Sequence, residues 1–193
     1  MRCDAQTLIL VAWATAVIPV SAFAEEQDAG ALRQALPKAK VTLADGIKQA
    51  AQAPAAPISA KFEMDDKGQL SLSVYIAAKG LGTDAEHNTL QELSGSPESD
   101  SWKPETETFK DPEHVARASE QATLMSLTRV SLLDVAAKAA KRAGTVFSVT
   151  PDVRGRKPVF VVLVANKGKI QELTYDLMTG TEAKPSKASA SAG

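Results

Sequence analysis

The chain has one cysteine, Cys3, and two histidines, His87 and His114. A disulfide staple, a thiolate metal site and a cysteine nucleophile all need more than this, because Cys3 lies in the stretch read below as a leader. Zinc needs three or four ligands from His, Cys or carboxylates. Neither Glu86-His87 nor Glu113-His114 supplies such a set, and H-E-x-x-H is absent, so both histidines read as exposed polar residues. No G-x-S-x-G nucleophile elbow and no phosphate-cradling glycine loop occurs. Asp65-Asp66 lacks the rest of a calcium loop and reads as turn chemistry. The formal net charge is −1, and taking away Arg2 and Asp4 leaves it unchanged, so no broad basic field exists to recruit nucleic acid or anionic lipid. The expectation is a protein that is not an enzyme and carries no cofactor and no metal.

Residues 1–24 have a short n-region with Arg2, an apolar run from Leu8 to Val20 broken by Pro19, and the small-residue exit Ser21-Ala22-Phe23-Ala24. This is the pattern of a secretory signal with an A-x-A-type cleavage site, and the run is short for a stable span. An uncleaved anchor is the competing reading. The pattern places the mature chain, beginning at Glu25, in the periplasm or outside the cell.

What the sequence does contain is a repeat. Val41-Thr42-Leu43-Ala44-Asp45 returns as Val130-Ser131-Leu132-Leu133-Asp134 at an offset of 89, and Leu90-Gln91-Glu92-Leu93 returns as Ile170-Gln171-Glu172-Leu173 at an offset of 80. Thr42 with Asp45, and Ser131 with Asp134, have the spacing of a helix-starting capping box. Leu43, Ile47, Ala50 and Ala51 share one helical face; Leu132, Ala136, Ala139, Ala140 and Ala143 share its counterpart, which Gly144 is placed to stop. Gly46, where the second copy has Val135, marks the first helix as the weaker. The period then changes to two. Ile58 to Met64 and Leu70 to Ile76 read as a hairpin with one wet face, turning at Asp65-Asp66-Lys67-Gly68; Val146 to Val153, Lys157 to Ala165 and Lys169 to Asp176 read as three strands. Val159 to Val164 is apolar on both faces, which suits a central strand or a seam between the units.

The drop in offset leaves nine extra residues in the first copy, around Ala78 to Asn88. Further helices are expected over Asp28 to Leu36 and Pro112 to Leu127, the second burying Val115, Ala118, Ala122 and Met125. The organisation reads as a signal (1–24), a lead-in (25–40), a first unit (41–93), an acidic linker plus helix (94–129), a second unit (130–183) and a low-complexity tail (184–193). The fold class expected is α+β, two tandem units, each a helix or helix pair on a three-stranded antiparallel sheet.

The second unit, through its helix Val130 to Ala140, the strand Pro158 to Val164 and Tyr175-Asp176-Leu177-Met178-Thr179-Gly180, resembles the PepSY domain, an exported module named for propeptides of secreted metallopeptidases. The resemblance covers residues 130–183 and reaches the first unit only through the repeat, because Ser94-Gly95-Ser96-Pro97 stands where the Asp-x-x-Thr-Gly turn would be. It implies a helix against an antiparallel sheet and a non-catalytic role, often peptidase inhibition or regulation of envelope enzymes. Asp176, Thr179 and Gly180 carry over from the family's motif, and their plain chemistry is that of a turn closing the last strand.

Trp102 and Phe109 stand in an otherwise polar linker. They read either as a partner-binding strip or as rings folded back to fasten the linker. Tyr75 and Phe160 read as corresponding outward positions on the second strands. The expected function is binding or regulation of another envelope protein, with a peptidase as the leading class; the alternative is a small-ligand or metal-binding protein using the groove between the units.

Overall fold

The computed structural model describes residues 30–84 and 86–183, so the signal, the tail, and the first two residues of the helix expected from Asp28 lie outside the described residues. Residues 30–35 are helical and run into a 3-10 turn at Leu36–Lys38. The elements that follow are α1 (Leu43–Ala50), β1 (Ala56–Met64), β2 (Leu70–Ala77), β3 (Leu90–Gly95), β4 (Glu105–Thr108), α2 (Pro112–Ser126), α3 (Leu132–Ala143), β5 (Thr145–Arg154), β6 (Lys157–Asn166) and β7 (Lys169–Asp176).

The helices begin where their caps place them. Thr42 Oγ1 accepts from the Asp45 amide at 3.2 Å while Asp45 Oδ2 accepts from the Thr42 amide at 3.2 Å, a complete capping box. Ser131 accepts from the Asp134 amide at 3.1 Å, and Asp111 accepts from the His114 amide at 3.0 Å with Pro112 opening α2. Gly46 is buried and faces β2: a Cβ there would lie 2.6 Å from Leu72 Cδ2. The missing side chain is therefore space already taken by Leu72.

The α+β class holds, but the two separate three-stranded units do not. All seven strands form one antiparallel sheet in the order β4-β3-β2-β1-β5-β6-β7. The first strands of the two halves join it, with Ala60 opposite Val149 and Lys61 opposite Ser148. Ala60 and Val149 are equivalent positions of the repeat at the offset of 89, so the seam behaves like an isologous contact in which each copy meets itself. Joining β1 to β5 pairs two rows of backbone groups that separate sheets would have left as open edges. β6, the doubly apolar strand, lies between β5 and β7 and not at the seam.

One face of the sheet carries Phe62, Leu72, Val149 and Phe160 under α1 and α3, which also pack on each other. The opposite face is crossed by α2, whose Gln121 Oε1 accepts from Ser59 Oγ at 2.8 Å. This cover corrects the wet hairpin face: all eight residues of β2 are buried. It also rotates the helix from its expected stripe. Ala118, Gln121, Leu124 and Met125 are buried, whereas Val115 stays 36 % exposed, because Gln121 turns inward to Ser59.

The two halves fasten their last strands to their helix starts by different devices. In the second, Asp176 Oδ1 accepts from the amides of Met178 and Thr179 at 3.0 and 2.9 Å and from Thr179 Oγ1 at 3.0 Å. Lys138 Nζ donates to the Gly180 carbonyl at 2.9 Å. Gly180 has φ of 61°, and a Cβ there would lie 2.9 Å from Val130 Cγ1. In the first half, the Pro97 carbonyl accepts from the amides of Lys40 and Val41 at 2.8 and 3.2 Å. Val41 is the counterpart of Val130, so Pro97 does the fastening that the Asp-x-x-Thr-Gly turn does in the other copy.

Candidate functional site

Strand alternation sets a strip of polar residues on the α2 side of the first half. The pairings align Ser148, Lys61, Ser73, Ser94 and Glu105 in one row across five strands. The next row aligns Ser59, Tyr75, Glu92 and Glu107. Glu63 and Ser71 add a third pair on the same face. At the equivalent β6 positions the second half has Val159, Val161 and Leu163, so the polar rows extend into the second copy only as far as Ser148 on β5.

Within the strip Lys61 Nζ meets Glu63 Oε2 at 2.5 Å and lies 5.6 Å above the Tyr75 ring centroid. Phe109 meets Tyr75 edge-on with centroids 4.9 Å apart, and His114 stacks on Phe109 at 5.5 Å. His114 Nδ1 lies 2.8 Å from Asp111 Oδ1, which anchors the stack to the cap of α2. Ser73 Oγ is buried beside Glu92, which lies across from Tyr75 and toward which the hydroxyl acts.

The electrostatics follow from this crowding. Burial pushes the Glu92 carboxyl above the usual carboxylate range; the Ser73 hydroxyl works against that shift, Glu63 repulsion adds to it, Lys61 opposes it, and Glu107 repulsion adds again. Burial alone would lower the Lys61 ammonium, but the Glu63 carboxylate more than reverses this, helped by Tyr75 and Glu92, and holds it above an ordinary lysine. Burial raises the Tyr75 phenol, with Lys61 opposing. Lys61 thus stands between Glu63 and Glu92, and Glu107 lies beyond Glu92 on β4.

Of the aromatic residues singled out from sequence, the structure brings Tyr75 and Phe109 together and leaves the others apart. Tyr75 and Phe160 do not correspond: Tyr75 faces α2, whereas Phe160 is fully buried beneath α1 and α3. Tyr75 is paired with Phe109 and 4 % exposed, so the outward placement of both rings is corrected. Trp102 is 3 % exposed; its indole N–H donates to the Gly95 carbonyl at 3.2 Å, and its own carbonyl accepts from Gln49 Nε2 at 3.0 Å. It fastens the linker to α1. Asp176, Thr179 and Gly180 form the fastening turn, where the Thr179 amide and hydroxyl hold the Asp176 carboxyl below the usual range. His87 Nδ1 lies 2.6 Å from Asp84 Oδ1 in the inserted loop, away from His114. Asp65 Oδ1 accepts from the amides of Lys67 and Gln69 at 2.9 and 2.7 Å, as a turn residue does.

Sequence reasoning missed Lys61, Glu63, Ser73, Glu92, Glu105 and Glu107. The signals were Ser71-x-Ser73-x-Tyr75 opposite an apolar alternate face, and the period of two in Glu105-Thr106-Glu107-Thr108.

A second concave feature, a cleft of about 410 Å³, opens between the 3-10 turn, α1 and α3. Leu36, Val41, Phe62, Ala136, Ala140 and Val146 line it, with Thr42 and Thr145 as its hydroxyl groups. Among the described residues, no group of three or more His, Cys, Asp or Glu side chains is placed to hold a metal ion. No helix of the described residues is long and apolar enough to cross a membrane.

No family model matches the chain, and no curated protein is similar enough to show kinship. A crystal structure of a candidate lipoprotein from Clostridium difficile is similar with a TM-score of 0.38 and 15 % identity, over 76 % of this chain and 92 % of that one. That likeness is too slight to assign a shared fold or function.

Proposed function

We propose that this chain is an exported, non-catalytic binding protein that regulates another envelope protein, with secreted or periplasmic peptidases the first class to test. The leader pattern of residues 1–24 and the PepSY-like second half support export and the peptidase reading. The observation that carries the binding role is the polar strip, which runs from beneath α2 to the exposed strand β4, all four residues of which face solvent. Ser59, Ser73 and Tyr75 are buried at its inner end, and Glu105 and Glu107 face solvent at its outer end.

The test is to incubate the purified chain with envelope peptidases from the same source. Slowed hydrolysis and co-elution are expected; unchanged hydrolysis without co-elution across the panel would end the peptidase reading. The apolar cleft favours a second reading, a small aliphatic ligand held between α1 and α3. A ligand bound only by the folded chain raises its melting temperature by mass action, so a flat thermal-shift screen of aliphatic compounds would remove it.

A further inference from the structure

We infer that β4 is an acceptor edge for an extended basic segment of the partner, which adds to the sheet as an eighth strand. This rests on the binding role proposed above and gives the partner its chemistry. Among the described residues, β4 pairs only with β3, so its outer row of backbone donors and acceptors is open. An added strand would lie about 4.8 Å away, with alternate side chains beside Glu105 and Glu107. Lys or Arg at those alternate positions would meet both carboxylates. The row behind Glu107 holds Glu92, whose nearest cation, Lys61, is already engaged by Glu63.

The two outer edges of the sheet are not equivalent. The end of β7 is covered by the chain folding back, with a bridge between Tyr175 and Glu182 and the Ala183 amide donating to the Thr174 carbonyl at 2.8 Å. The open half of β7 mixes Lys169 with Glu172. Among the described residues β4 has no such cover, and it presents one sign of charge between Lys103 and Lys110, which bracket it in sequence. Charges on an edge also protect it from aggregation. Protection alone, however, needs only the exposed pair Glu105 and Glu107. It does not account for the acidic Glu92 in the row behind Glu107. An acidic edge also repels the same edge of a second copy, which leaves a basic guest as the complementary partner.

The experiment uses the full chain and a dye-labelled ten-residue peptide alternating Arg and Thr, followed by fluorescence anisotropy. Two control peptides alternate Glu with Thr, or replace each Thr by Pro, which keeps the charge but removes the backbone donor of every second residue. Saturable binding is expected for the Arg-Thr peptide, about tenfold tighter than for either control. The Glu105→Lys/Glu107→Lys variant should lose about tenfold in affinity at unchanged melting temperature, since both side chains are exposed. Backbone amide shifts should move in β3 and β4. No saturable binding, equal binding of the Pro peptide, equal binding by the charge-reversed variant, or shifts confined to β7 would each overturn the inference. Peptidase co-elution that survives the charge reversal would remove this edge as the contact and leave the regulatory reading standing. Peptide binding without any peptidase effect would do the reverse.

Discussion

Gly46 shows how a single side chain's absence can be a packing contact. Helix propensity favours alanine over glycine by about 1 kcal/mol, and the first copy's helix would gain that much from Gly46→Ala in isolation. The new Cβ would stand 2.6 Å from Leu72 Cδ2, and Leu72 is fully buried, so relief requires a shift in the core. Overpacking of this kind costs about 1–3 kcal/mol, which outweighs the propensity gain. Gly46→Ala should therefore be destabilised in a urea titration; a stabilised variant would mean that Leu72 can rotate aside. Trp102 obeys the same logic in the opposite direction. Trp102→Ala should lose about 3–5 kcal/mol from the cavity, with the Gly95 carbonyl also losing its donor. Any loss of partner binding by that variant would then be accompanied by a fallen melting temperature, whereas a binding loss with the melting temperature intact would restore Trp102 as a contact residue.

Among the elements, the capped helices and the hairpins were legible because caps, turns and periods are local: Thr42 with Asp45 and the Asp65 turn lie within a few residues of the structure they set. β4 was not, since Glu105-Thr106-Glu107-Thr108 has no apolar residue and becomes a strand only by pairing with β3. The strip was hidden for a related reason. Its residues read as a solvated face until α2, whose stripe is turned by the bond between Gln121 and Ser59, covers part of it. That cover has a consequence for pH. Burial raises the folded-state value of Glu92 above its unfolded one, so the folded chain holds this proton more tightly. Stability contributed by that proton is present below the unfolded value and is lost as pH rises through the folded value. Glu92→Gln should therefore be more stable than the wild type at neutral pH, and the difference should close near about pH 3.5. Urea midpoints at the two pH values measure this, and a gap that persists in acid would assign the effect to packing and not to the carboxylate.

At the scale of the molecule, the repeat was readable and its assembly was not, because nothing local in Ala60 or Val149 says that they pair across the seam. The seam unites the halves in three ways at once. β1 pairs with β5, α1 packs on α3, and α2 crosses the opposite face over β5, β1, β2 and β3. The last of these has no counterpart in the repeat's symmetry. It ties the second copy to the same face on which the first copy carries its polar strip, so order in that strip depends on both halves being folded. Two halves coupled through a shared sheet and shared helix cover should open as one unit. Native-state hydrogen exchange can test this with β2 and β6, the inner strands of the two halves, which should report one common opening free energy. Val149→Ala removes buried methyl groups at the seam and should cost about 2 kcal/mol. Although Val149 belongs to the second half, protection of β2 should fall by the same amount as protection of β6. Loss confined to β6 would show that the first half holds its fold, and with it the polar strip, without its neighbour.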